Sequence, residues 1–157
     1  MTDLSRRTAL RGAGAGTLLA AAMAAGLLRP SDALADRNKS AFESKTLSDA
    51  LKNLKVASPV ETKDIAITAP DIAENSAVVR IEIQSNVPGT KSIAVLIEKN
   101  PFPYAGSFDI PQGTLPFVLL HVKMGESSNV RVVVAAADGK FYTAAKEVKV
   151  TIGGCGG

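Results

Sequence analysis

The stretch Asn129-Val130-Arg131-Val132-Val133-Val134-Ala135-Ala136-Ala137, followed by Asp138-Gly139 and then Phe141–Ile152, sets the class of fold. Val130, Val132 and Val134 recur every second residue, which is the side-chain period of a β-strand. Their branched Cβ atoms suit a pleated surface better than a helix. Asp138-Gly139 reads as a two-residue hairpin turn, and the return strand closes on Val148, Val150 and Ile152. A hairpin with one apolar face cannot stand alone in water, so a second layer must cover it.

The same period runs back toward the N-terminus. Leu115–Met124 sets Val118, Leu120, Val122 and Met124 on one face, and Ser92–Glu98 does so with Ile93, Val95 and Ile97. Ala77–Gln84 turns Val79, Ile81 and Ile83 inward and Arg80, Glu82 and Gln84 outward, and Asp64–Thr68 pairs Ile65 with Ile67. Val87-Pro88-Gly89 is a turn. About seven short strands punctuated by turn signals imply a mostly β chain, an immunoglobulin-like antiparallel sandwich of two sheets. No helical pattern separates the strands, which disfavours a βαβ fold.

Ahead of the strands, Ser40–Val56 carries a helical period. Phe42, Leu47, Leu51 and Leu54 share a face, with Lys45, Asp49, Lys52 and Asn53 opposite. Thr46 and Asp49 form a capping pair, and Ser58-Pro59 closes the helix, which is expected to pack on the sandwich. Leu96, Phe117, Leu119 and Val133 occupy outward strand positions, where water is costly to them. Either the helix or loops cover them, or they meet a partner subunit. Phe102 and Tyr104, held by prolines in Asn100–Tyr104, either rim such a contact or cover an edge.

The two termini are unlike the body. Ser5-Arg6-Arg7-Thr8-Ala9-Leu10, the Ala/Gly/Leu run Gly12–Leu28 and Ala33-Leu34-Ala35 fit a cleaved twin-arginine signal peptide over residues 1–35. Arg29-Pro30 ends a run too short and too rich in Ala and Gly for a comfortable membrane span. Export through that route places the mature chain in the periplasm. Of 157 residues, 122 remain, one domain's worth. The leader holds four arginines against two aspartates, so 18 basic and 15 acidic residues become 14 and 13. Near neutrality argues against nucleic acid or anionic membrane as partners.

At the other end stands Gly153-Gly154-Cys155-Gly156-Gly157, with the chain's single cysteine. Four glycines give this arm nothing to bury, so it is expected to be flexible, with residues 36–152 as its helix-plus-sandwich base. One cysteine makes no internal disulfide. A free thiol titrates near 8.5, so only about a few per cent is thiolate at neutral pH. The terminal carboxylate opposes ionisation further, and any activation must come from a site that the arm enters. The sequence has no P-loop, GxGxxG or HExxH motif and no metal-ligand cluster. His121, the sole histidine, sits mid-strand and reads as a sheet residue. The chain is therefore read as a carrier without an active site, cofactor or metal of its own.

With its leader and its sandwich, the ending Val150-Thr151-Ile152-Gly153-Gly154-Cys155-Gly156-Gly157 resembles the SoxY family of sulfur-substrate carriers in periplasmic thiosulfate oxidation. The resemblance implies that Cys155 holds sulfur intermediates covalently on a swinging arm. A haem enzyme, SoxAX, would join thiosulfate to the thiol as an S-thiosulfonate. A hydrolase, SoxB, would release sulfate, and SoxCD, where present, would oxidise the sulfur left behind. It also implies a heterodimer with SoxZ, to which Leu96, Leu119 and Val133 are assigned as interface residues. A Cys155-linked homodimer is a further expectation. Two other readings stay open: a structural sandwich subunit cross-linked through Cys155, and a ubiquitin-like sulfur carrier acting through the Gly157 carboxylate. The second needs ATP, which the periplasm lacks.

Overall fold

Burial follows the alternation of the strands. The computed structural model describes residues 38–151, which belong to one compact unit. In chain order the elements are α1 (Lys39–Phe42), α2 (Leu47–Asn53), β1 (Val60–Glu61), β2 (Ile65–Thr68), β3 (Ile72–Ala73) and β4 (Val79–Ser85). They continue with β5 (Thr90–Ile97), β6 (Tyr104–Asp109), β7 (Phe117–Val122), β8 (Ser128–Ala136) and β9 (Phe141–Val150).

Six strands form one sheet in the order β1-β9-β8-β5-β6, with β3 also on β9, and β2-β4-β7 form the other. The long pairings are antiparallel, while β1 and β3 join β9 in parallel as two-residue strands. Between the sheets lie Val79, Ile81, Ile83, Ile93, Val95, Ile97, Val130, Val132, Val134 and Val148, all fully buried together with Met124. These are the residues that the period of two turned inward. The fold is the expected mostly β, two-sheet sandwich.

Three local expectations are corrected. The single helix over Ser40–Val56 is two helices, because Thr46 is extended and caps the second one. Its Oγ1 accepts from Asp49 N at 3.1 Å and donates to the Asp49 carboxylate at 2.7 Å. Short hydroxyl side chains compete with the helical ladder in this way, and Ser44 Oγ likewise turns back to Ser40 O at 2.9 Å. Asn53 then ties the two helices together, donating to Ser40 O and Ser44 Oγ at 3.0 Å each.

The Asp138-Gly139 turn is one residue wider than expected. Ala136 N donates to Lys140 O, so the loop is Ala137–Gly139, with Gly139 at φ +79 in the left-handed position of a three-residue hairpin. Finally, Tyr104–Asp109 is a strand, β6, where no strand was expected. It is an edge strand with Gly106 at its centre and a bulge opposite Val95/Leu96, so it shows no clean alternation.

The outward apolar residues separate into two groups. Leu96 and Val133, at 0% and 2% exposure, lie under the chain's own helices. They form a second core with Ala41, Ala50, Ala94 and Tyr104, flanked by Phe42, Leu47, Leu51 and Leu54. Their assignment to a partner interface is thus corrected: the α1–α2 pair already fills that face. Phe117 and Leu119, on the outer face of the three-stranded sheet, are 41% and 42% exposed.

Candidate functional site

The cysteine and the glycines expected to carry it, Cys155 with Gly153, Gly154, Gly156 and Gly157, lie outside the described residues, as does the leader. What the structure defines is the root from which they continue. β9 pairs with β8 along its length, from Ala135↔Phe141 to Ser128↔Val148. Beyond that the backbone ladder gives way to other bonds. Val150 N donates to Ser127 Oγ at 3.0 Å. On the opposite flank Lys149 N donates to Asp71 O at 2.9 Å, Thr151 N to Ala73 O at 3.2 Å, and Thr151 Oγ1 to Glu74 O at 3.2 Å. The last turn of chain before the arm is therefore held on both sides.

The surrounding loops are stapled in the same manner. Asn100 bridges two backbone groups of the next loop, donating to Lys123 O at 2.8 Å and accepting from Gly125 N at 2.9 Å. Lys99 N donates to Ser128 Oγ at 3.0 Å, and Met124 N to Ser76 O at 2.8 Å. Behind them Arg131 Nε meets Glu98 Oε1 at 2.6 Å and Asn129 Nδ2 meets Glu98 Oε2 at 3.0 Å, joining β5 to β8. A backbone amide that finds a side-chain partner at a strand end keeps its hydrogen bond without needing another strand. The result is a firm platform of three loops at one end of the sandwich, residues 71–78, 98–103 and 123–128.

No cluster of three or more metal-ligating side chains occurs among the described residues, and no described helix is long and apolar enough to cross a membrane. His121 lies on the exposed face of β7, opposite Arg80 of β4. The shifted titrations sit at the far end, in the β8–β9 hairpin. There the Asp138 carboxyl is held below its ordinary range, first by Lys140 N–H and then by the Tyr142 hydroxyl that donates to it at 2.8 Å. The same bond raises Tyr142. A cleft of about 440 Å³, lined by Thr90, Lys91, Ile110, Pro111 and Thr114 among others, is also at that far end. Volume and arm root do not coincide, and the root is where the reactive group departs. Ser127, Asn100 and the Asp71–Glu74 backbone were not singled out in the sequence. None is titratable, and only the end of β9 beside them gives them meaning.

Residues 51–155 match the model of the family described as Sulfur oxidation protein SoxY. The chain belongs to the SoxY family. Its SoxY match ends on Cys155 itself. Among solved structures, the sulfur carrier protein SoxY from Chlorobium limicola f thiosulfatophilum is 39% identical, with a TM-score of 0.62, over 68% of this chain and 97% of that one. A superoxide reductase (neelaredoxin) from Ignicoccus hospitalis is 20% identical with a TM-score of 0.51, over 57% and 82%, a likeness of fold alone. No curated protein matches the chain. The SoxY match takes in the end of α2 from Leu51, both sheets and the arm root described above.

Proposed function

We propose that this SoxY chain is a carrier in thiosulfate oxidation, holding sulfur intermediates covalently on Cys155. The observation that carries the reading is the family match running to Cys155, five residues past the end of β9, which is clamped on both flanks. A similar protein is described as a sulfur carrier. In this scheme the Cys155 thiol and thiosulfate form an S–S bond, giving up one proton and two electrons to the haem enzyme SoxAX. Water then attacks the terminal sulfonate under SoxB, leaving as sulfate, and the persulfide stays on Cys155. SoxCD, where present, takes six electrons from that sulfur while three waters supply its oxygens, and a further hydrolysis releases it as sulfate and restores the thiol. The chain itself supplies attachment, reach and presentation, and no catalytic group.

The leader over residues 1–35 is removed on twin-arginine export, and the mature chain of residues 36–152 plus its arm works in the periplasm. SoxZ is the partner subunit. Of the residues assigned to its interface, Leu119 retains that role, beside Phe117 on the open face of the three-stranded sheet.

Peptide mass spectrometry of the C-terminus, after purification from thiosulfate-supplied cells, tests the carrier step. Adducts of sulfur or thiosulfate are expected on Cys155 and absent from a Cys155→Ser chain. Sulfur on the Gly157 carboxylate, or an unmodified terminus throughout, would sink the proposal.

A further inference from the structure

The chain continues from Thr151, and Cys155 is four residues on. Fully extended, those residues reach no farther than about 14 Å. β9 alone, at ten residues, spans roughly 33 Å. The thiol therefore cannot serve a protein bound at the hairpin end. Whatever takes the thiol into a cleft must come close to the loop platform around Thr151, so the chemistry of that platform sets what docks.

Three large apolar side chains stand out on this end: Ile72 at 60% exposure, Val78 at 56% and Phe102 at 54%. Each is placed by a bond already described. Ile72 pairs with Lys149, two residues before Thr151, and the next residue, Ala73, receives Thr151 N–H. Val78 directly precedes Val79, the partner of Val122, at the edge of the loop that Met124 and Ser76 close. Phe102 stands between Pro101 and Pro103, in a loop closed by Ile97 N to Pro103 O at 2.7 Å and tied by Asn100 to Lys123 and Gly125. Prolines on both sides fix its backbone, so little order remains to be lost on binding. Of the charged residues in these loops, Glu98 is paired with Arg131 and Asp71 with Lys146, and the rest balance, Glu74 and Glu126 against Lys99 and Lys123. Apolar contact, rather than a net field, is what this end offers.

Resting on the carrier reading, we infer that Ile72, Val78 and Phe102 form the docking surface for enzymes that act on the arm. The occupant is a protein whose active-site mouth is narrow enough to admit a Gly-Gly-Cys segment and has an apolar rim. Phe102 is its aromatic anchor, of the kind that dominates small interfaces. Leu115, 71% exposed in the loop before β7, lies beyond the arm's span and takes no part.

The test is binding of the full mature chain, with Cys155→Ser, to immobilised SoxB, so that docking is read apart from sulfur chemistry. Phe102→Asp and Val78→Asp should each weaken binding at least about tenfold. Leu115→Asp should leave it unchanged. All three sites are exposed, and equal thermal midpoints verify that the variants fold. Alkylation of Cys155 by monobromobimane should proceed at the same rate in every chain that keeps the cysteine. Unchanged affinity in both end-face variants, or an equal loss with Leu115→Asp, overturns the docking surface. Failure of the carrier reading appears separately, as a Cys155 that takes up no sulfur while the end-face variants still lose binding.

Discussion

At the residue scale, Gly89 and Asp138 show how the hairpin end is held. Gly89 has φ +66, and a Cβ placed there would lie 2.7 Å from the Ala137 Cβ, while its carbonyl accepts from Ala137 N. Gly89→Ala combines left-handed strain with that clash, so it should cost about 1–2 kcal/mol or more. A lower urea midpoint at unchanged slope is the expected readout. Asp138 titrates below its ordinary value when folded. A carboxyl depressed in this way contributes stability that is complete above its unfolded pKa and drains away as pH falls through its folded one. Tyr142 is raised, so its share holds below its unfolded pKa and is lost as pH climbs through the folded one. Asp138→Asn should therefore lower stability at neutral pH and flatten its fall below about pH 4, where the two chains converge. Acid unfolding monitored by circular dichroism checks the sign.

At the element scale, the helices are a short but specific cover for one sheet face. Removing the cap with Thr46→Ala should cost about 1 kcal/mol, read as a lower midpoint and faster amide exchange across α2. Leu96 is fully buried beneath that cover, so Leu96→Ala should cost about 2–5 kcal/mol. Leu119→Ala, on an open face, should barely move stability, while Leu119→Asp should abolish co-purification with SoxZ. These contrasts mark where the amino-acid order was informative. The inward valines and isoleucines were legible because alternation is a local signal. That Leu96 and Val133 sit under helices was not, since a strand's period tells which face a side chain takes and not what lies over it. β6 was hidden by Gly106 and a bulge, and β1 and β3 were too short for any period. The Thr46–Asp49 pair was visible, but it starts a second helix where a single one was expected.

At the scale of the whole molecule, the two ends of the sandwich differ in kind. One is a hairpin end with the shifted carboxyl and the cleft of about 440 Å³; the other is the stapled platform from which Thr151 leads on to Cys155. The site was legible in part: Cys155 and its glycines stand out in composition, whereas the clamp at their root consists of serines, an asparagine and backbone carbonyls. Ser127→Ala should free the Val150 amide, raising its hydrogen-exchange rate while the β8–β9 ladder from Phe141 to Val148 keeps its protection. Equal exchange in both chains would show that the clamp is not needed.

β9 is also flanked twice, by β8 on one side and by β1 and β3 on the other. Its hydrogen bonds run across the strand direction. A pull on the C-terminus therefore acts along the strand and loads both ladders in shear, many bonds at once. A partner that withdraws while still gripping the tip meets the mechanically strongest geometry a sheet provides, so the grip should yield before the domain does.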